Sequence, residues 1–437
     1  MRKVIVSAMC LFILILGEDA RADEISDLKQ QLMEQNKILI EMRERLEQLE
    51  ARQRLKEQSL TKKITEIAEK AEDQKVASLP DSLKWAEKVK ISGDFRYRHE
   101  HIDRETSSSP TRWRKGRDRN RIRARLMIDA IVNNEWDLGF RLASGERAIL
   151  ASEEDLFADP VSSNQTLKQN FSSKDVWIDL AFFDWHPESM SGLNVYGGKI
   201  KNPFYKVGKN QLIWDGDLNP EGIGVKYKTA LNDSQELHLN GGGFWMDESS
   251  SGVDTSLWGA QAYLKHTMSN PDYILAGASY WDYGNIQNKT DTYGLLKGNA
   301  GTGAWASDYD ILEVFGEYGT KWNETPVSFF GNWIQNLVAS TPYDTGWLVG
   351  VKYNKAKDPG SWDISYSYRD LQADAVVAAF TDSDFGGGGT DSKGHTIGFN
   401  YQLAKNLQFG TTYFHNENDG DPDLDYRRLQ LDFKLKF

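Results

Sequence analysis

The stretch DRNRIRARLMIDA, residues 118–130, decides the fold. Arg119, Arg121, Arg123 and Arg125 alternate with Ile122, Ala124, Leu126, Ile128 and Ala130. In an extended chain this period of two puts the cations on one face and the apolar side chains on the other. A guanidinium at the centre of a membrane costs roughly 2.5–3.5 kcal/mol on insertion scales, so the arginine face must meet water. The segment before it repeats the pattern. Val89, Ile91, Gly93, Phe95 and Tyr97 interleave with Lys90, Ser92, Asp94, Arg96 and Arg98.

Similar segments recur to residues 426–437, and sixteen are predicted in all. Shared among them, the 350 residues from 88 to 437 allow about 22 each, enough for a tilted membrane strand of ~10 residues and a connector. The connectors alternate in length. Long ones at 102–117, 147–173, 202–220, 247–256, 284–308, 338–346, 372–393 and 417–425 take turns with tight ones such as Asn323-Glu324-Thr325-Pro326 and Lys405-Asn406. Short turns on one side and long loops on the other describe an antiparallel transmembrane β-barrel of the outer membrane, and an even strand count puts both ends on the periplasmic side. A soluble β-sandwich would turn its polar face outward and needs no such two-sided alternation.

Composition agrees with this reading. The chain has 437 residues, a formal charge of −12 and a mean hydropathy of −0.59, with 14 Trp, 18 Tyr and 19 Phe. Only the N-terminus carries a long apolar run, which excludes a polytopic helical membrane protein. Arg2 and Lys3, the apolar Val4–Leu16 and Ala20-Arg21-Ala22 predict a secretory signal peptide over 1–22. As a membrane anchor the run is too short. The one cysteine, Cys10, lies in it, so the exported chain is expected to lack disulfides and thiolate metal clusters.

Residues 23–75 predict a periplasmic coiled-coil helix. Ile25, Leu32, Leu39 and Leu46 recur every seven residues, with Leu28, Met42 and Leu49 between them. A single surface helix packed on the following domain is the plainer alternative. A linker containing Pro80 follows over 76–87, and the barrel occupies 88–437.

The polar faces predict a lumen lined by Lys90, Arg96, Arg98, Arg119, Arg121, Arg123, Arg125 and Arg141, a basic wall inside an acidic chain favouring anionic or dipolar solutes. Its plainer function is to hydrate a wide lumen. Arginines on a strand of an exported acidic chain do not suggest a nucleic-acid partner. No Ser/His pairing suggests a catalytic site, and no cofactor or metal is expected. His99 with His101 lacks a third ligand, and Asp419, Asp421, Asp423 and Asp425 lack the spacing of a calcium loop. Gly386–Gly389 reads as a flexible loop tip.

The stretch YGGKIKNPFYKVGKNQLIWDGDLNPEGIGVKY, residues 196–227, together with DRNRIRARL, residues 118–126, resembles the “Putative porin” family of Gram-negative bacteria, related to the sixteen-stranded porins. The resemblance spans essentially the whole barrel region. It implies a trimeric outer-membrane channel for passive diffusion of small hydrophilic solutes, among outer-membrane lipid and lipopolysaccharide. In the porins it resembles, the third long loop folds into the barrel. Here that would set Asp215, Asp217 and Glu221, beside Lys201, Lys206 and Lys209, opposite the arginines and create a transverse field. The last strand, alternating Leu429, Leu431, Phe433, Leu435 and Phe437 with polar residues, looks like the signature read by the barrel-assembly machinery. The N-terminal helix looks like the periplasmic extension of certain sugar- and phosphate-selective porins. A structural tether towards peptidoglycan is the alternative function.

Overall fold

The computed structural model describes residues 81–105, 116–146, 159–168, 170–250, 252–268, 272–290, 296–418 and 424–437, with scattered positions between 33 and 56. The segment 1–22 read as a signal peptide, and Asp419, Asp421 and Asp423, lie outside the described residues. The chain forms two units, Met1–Leu83 and Lys84–Phe437. In the first, residues 40–45 and 47–49 are α-helical, and the seam residues Met42 and Leu49 are 59% and 62% exposed. A 3-10 helix, Asp81–Lys88, falls largely within the segment read as a linker.

The second unit is one closed antiparallel sheet. Its strands are β1 (Val89–Arg104), β2 (Arg117–Ile131), β3 (Trp136–Ser144), β4 (Gln165–Thr166), β5 (Val176–Trp185), β6 (Leu193–Lys199), β7 (Glu221–Asn232), β8 (Gln235–Asp247), β9 (Thr255–Thr267), β10 (Tyr273–Gly284), β11 (Tyr309–Trp322), β12 (Thr325–Asn336), β13 (Thr345–Asn354), β14 (Trp362–Leu371), β15 (Ser392–Ala404), β16 (Leu407–Asn418) and β17 (Leu424–Lys436). The two-residue β4 pairs with β2 at Arg121 and Ile122, beyond the stretch that β3 covers. The other sixteen coincide with the sixteen segments read from the sequence. β1 pairs with both β2 and β17, so the sheet has no free edge. Phe437 completes the seam through reciprocal backbone bonds with Gly93, each 3.1 Å.

The apolar faces turn outward. Phe95, Leu126, Phe140, Ile178, Ile223, Val314, Phe329, Val349, Ile364, Ile397 and Leu429 are exposed there, as a lipid-facing band requires. At the turn end an aromatic chain runs through Trp322, Tyr353, Trp362 and Phe399 at centroid spacings of 6.4, 5.8 and 6.5 Å, in keeping with an interfacial belt. The turns use the backbone that hairpins demand. Asn323 and Glu324 both have positive φ, 48° and 64°, the twist-matched geometry of a two-residue loop.

The interior departs from the expected polar lumen. Phe204, Val207, Leu212, Ile213 and Trp214 of the third long connector pack against Trp281, Ile311, Phe315, Phe330 and Ile334 of the wall. Val376, Val377 and Ala379, from the connector between β14 and β15, join the same core. That connector, read as an external loop, folds inward, and Gly386, read as part of a flexible tip, is buried and bonded through its N–H to Asn416 at 3.0 Å. The reason lies in the run Val376–Phe380, whose apolar surface finds cover inside.

Candidate functional site: the charged lumen

Cross-strand register explains the lumen chemistry. Arg96 lies opposite Arg123 on β2 and Lys434 on β17, while Arg98 lies opposite Arg121 and Asp432. Like charges placed directly opposite repel, so the arrangement needs carboxylates between the cations. They come from three sources. On the strands, Asp94 accepts from Arg123 at 2.9 Å and from Arg125 at 2.7 Å, Asp432 binds Arg98 through two bonds of 2.6 and 2.9 Å, and Glu100 pairs with Arg119 and Arg428. The third connector contributes Asp217, 3.3 Å from Arg125 and 3.5 Å from Arg123. The connector after β14 contributes Asp384, 3.0 Å from Arg98 and 2.8 Å from Arg428.

The loops are positioned by the wall opposite. Tyr205 N–H donates to Gln261 at 2.7 Å, and Gly208 N–H donates to Glu317 at 3.3 Å. Gly208, with φ +56°, lies against the Phe330 ring, and a Cβ there would sit 2.4 Å from it. The two loops also bind each other. Asp215 N–H donates to Phe380 O at 2.7 Å, and its carboxylate accepts from Ser383 N–H at 3.0 Å.

These settings move the loop carboxyls in opposite directions. Burial, then Asp382 and Asp217, push Asp215 well above the usual aspartate range, and burial also raises Asp382. Burial opposes ionisation of Asp217 and Asp384 as well. There it is outweighed by Arg123 and Arg125 for Asp217, and by Arg428 and Arg98 for Asp384, which hold both below that range.

A cavity of 750 Å³ lies between the loops and the arginine wall. Arg96, Arg98, Arg123, Arg125 and Arg141 line it with Arg369, Lys201, Lys209 and Lys352, and Asp215, Asp217, Asp382 and Asp384 are its carboxylates. The other expected lining residues lie elsewhere. Arg119 and Arg121 face a separate 810 Å³ chamber nearer the loop end. Lys90 is exposed, opposite Asp129 on β2, and lines neither space. Glu221 is exposed and paired with Lys199 at 2.7 Å, away from the central cavity. Of the third loop's acids, Asp217 touches Arg123 and Arg125, and Asp215 accepts from Ser383 N–H of the second loop while lining the same cavity. His99 and His101 bond to Asn120, Asp118 and Asp103.

Sequence reading missed the second loop's Asp382 and Asp384, together with Arg369, Glu100 and the pairing role of Asp432. Arg369 is 3% exposed and stacks on the Phe385 ring at 3.6 Å. A signal was present for the strand residues: barrel closure sets the polar face of the last strand beside that of the first. The inward loop had only the run Val376–Phe380 to announce it.

The sequence profile of a family described as “Putative porin” matches residues 103–311 and 305–437. No curated protein matches by sequence. Among solved structures, the high-pH structure of OprB from Pseudomonas putida is similar with a TM-score of 0.50 at 12% identity, over 79% of this chain and 94% of that one. A double mutant of the Rh. blastica porin aligns with a TM-score of 0.45 at 15% identity, over 80% and 100% of the two chains.

Proposed function

The chain belongs to the family described as “Putative porin”, and from this membership in a family of outer-membrane channels we propose that it passes small hydrophilic solutes by passive diffusion and favours anions. The observation that carries the preference is the central cavity, where nine cationic side chains meet four carboxylates. A water-filled constriction with that surplus attracts anions and raises their local concentration. Planar-bilayer recording of the purified protein tests this. Stable conductance steps with a reversal potential favouring chloride over potassium are expected; absence of conductance would overturn the channel reading, and cation preference would overturn the anion reading.

The assembly is read as a homotrimer whose helices at 23–75 coil together in the periplasm, with lipopolysaccharide around the loop end. The seam position of Phe437, 68% exposed, suits an assembly signal for the barrel-assembly machinery. Deleting residues 24–75 should leave a folded barrel that no longer forms trimers. Normal trimers with lost cell-wall attachment would favour the peptidoglycan tether instead.

A further inference from the structure

Two chambers lie beside the central cavity, nearer the loop end, and they differ in chemistry. The 810 Å³ chamber carries Arg104, Arg117, Arg119, Arg121, Lys297 and Arg428, and shares Ser383 and Asp384 with the lining of the central cavity. The other, of 950 Å³, is walled by Trp177, Met246, Ile286, Trp305 and Phe380. It shares Asp217 and Asn219 with the lining of the central cavity. Asp159 and Ser162 line both outer chambers.

Of the apolar chamber's carboxylates, Asp159 accepts from Val161 N–H at 3.1 Å and the others are paired with cations. Glu221 is paired with Lys199 at 2.7 Å and Asp247 with Lys289 at 2.8 Å. Asp217 is held by Arg123 and Arg125. Asp179 accepts from Asn219 at 2.7 Å and pairs with Arg141, whose guanidinium lines the central cavity.

We infer that this chamber is a binding site for small organic anions with a flat apolar body, such as aromatic monocarboxylates. The ring lies against Trp177, Met246 and Ile286, and the carboxylate points past Asn219 towards Arg141 and Lys201. The ring leaves water on an apolar and aromatic surface, while the charge stays where the cations are. An inorganic anion gains nothing from this wall. A neutral ring gains nothing from the cations beyond. The inference rests on the anion preference proposed above.

The full-length protein in planar bilayers, carrying chloride current, is titrated from the loop side with benzoate, acetate and benzyl alcohol. Benzoate should reduce the current saturably at a half-saturation about tenfold below that of acetate, the gain expected when roughly half a phenyl ring leaves water. Benzyl alcohol should not block. Trp177→Ser, and separately Met246→Ser in case the first fails to fold, should bring benzoate towards acetate while the chloride-to-potassium selectivity stays unchanged. Equal block by benzoate and acetate in an anion-selective channel would overturn the site and leave the anion preference standing. Block by benzyl alcohol as strong as by benzoate would overturn the anionic class of the ligand. A channel without anion selectivity would overturn both readings.

Discussion

Across β17, β1 and β2 the inward side chains are Arg428, Gln430 and Asp432, then Arg96, Arg98 and Glu100, then Arg121, Arg123 and Arg125, tied by ion pairs to each other and to two loops. Across β10, β11 and β12 the inward set includes Trp281, Ile311, Phe315, Phe330 and Ile334, and the same two loops press on it with Trp214, Leu212 and Val377. One arc holds its loops through charge and the other through apolar burial. Desolvating an ion pair offsets much of its attraction, whereas apolar area removed from water stabilises by about 25 cal/mol per Å². The apolar arc is therefore the anchor, and the ionic arc keeps a charged, solvated surface facing the cavity.

Breaking the anchor should have the largest effect. Trp214→Ala removes a ring packed on Phe204, Trp281 and Phe380, and should cost about 3–5 kcal/mol, read as a lower urea midpoint for the barrel refolded in lipid vesicles. The same variant should widen conductance as residues 200–220 loosen.

Asp384→Asn tests the ionic arc. It deprives Arg98 and Arg428 of a shared carboxylate but leaves them Asp432 and Glu100, so roughly 2–3 kcal/mol is expected, below the loss for a buried charge deprived of its only partner. If it destabilised the barrel more than Trp214→Ala, the assignment of anchor and ionic wall would have to be reversed.

Arg123→Ser with Arg125→Ser should shift reversal potential towards cations, since it also leaves Asp94 and Asp217 without their ion-pair partners. Each charge removed at ~7 Å from the path through water changes ion occupancy roughly threefold before screening. Arg121→Ser should shift it less, because Arg121 lines an outer chamber.

The smallest effect concerns pH. Because burial raises Asp215 and Asp382, their contribution to loop docking is fully present below the ordinary aspartate value of 3.8 and is lost as pH rises through the raised values. Asp217 and Asp384, held low, contribute above that ordinary value and lose their contribution only as pH falls through their lowered ones. Hydrogen exchange of amides 380–384 should therefore slow as pH falls towards the ordinary aspartate value, once corrected for intrinsic rate, and Asp215→Asn should flatten the response. An unchanged slope in that variant would show that Asp215 does not link the loops.

Much of this was legible early. All sixteen long strands and the outward direction of residues such as Phe95 and Leu126 follow from alternation, since a strand's two faces must match two solvents. The arginines of β1 and β2 were legible as an inward row, but their division between two cavities was not. Arg121 and Arg123 are equivalent in the sequence pattern, yet Arg123 lines the central cavity 3.5 Å from Asp217 and Arg121 lines the outer chamber. The inner apolar arc was hidden for a related reason. Residues such as Phe315 and Phe330 have a greasy neighbour on the outer face, so alternation cannot say that a loop covers them from within.

The sequence by itself determined the strand number, the two faces and the closure into a barrel, because period-two patterning and a membrane solvent act on each strand locally. Only the tertiary structure decided which loops enter the lumen, which carboxylate meets which guanidinium and where the cavity's cations converge. Those outcomes depend on residues far apart in the chain, such as Glu100 and Arg428 or Asp215 and Ser383, whose meeting no local pattern encodes.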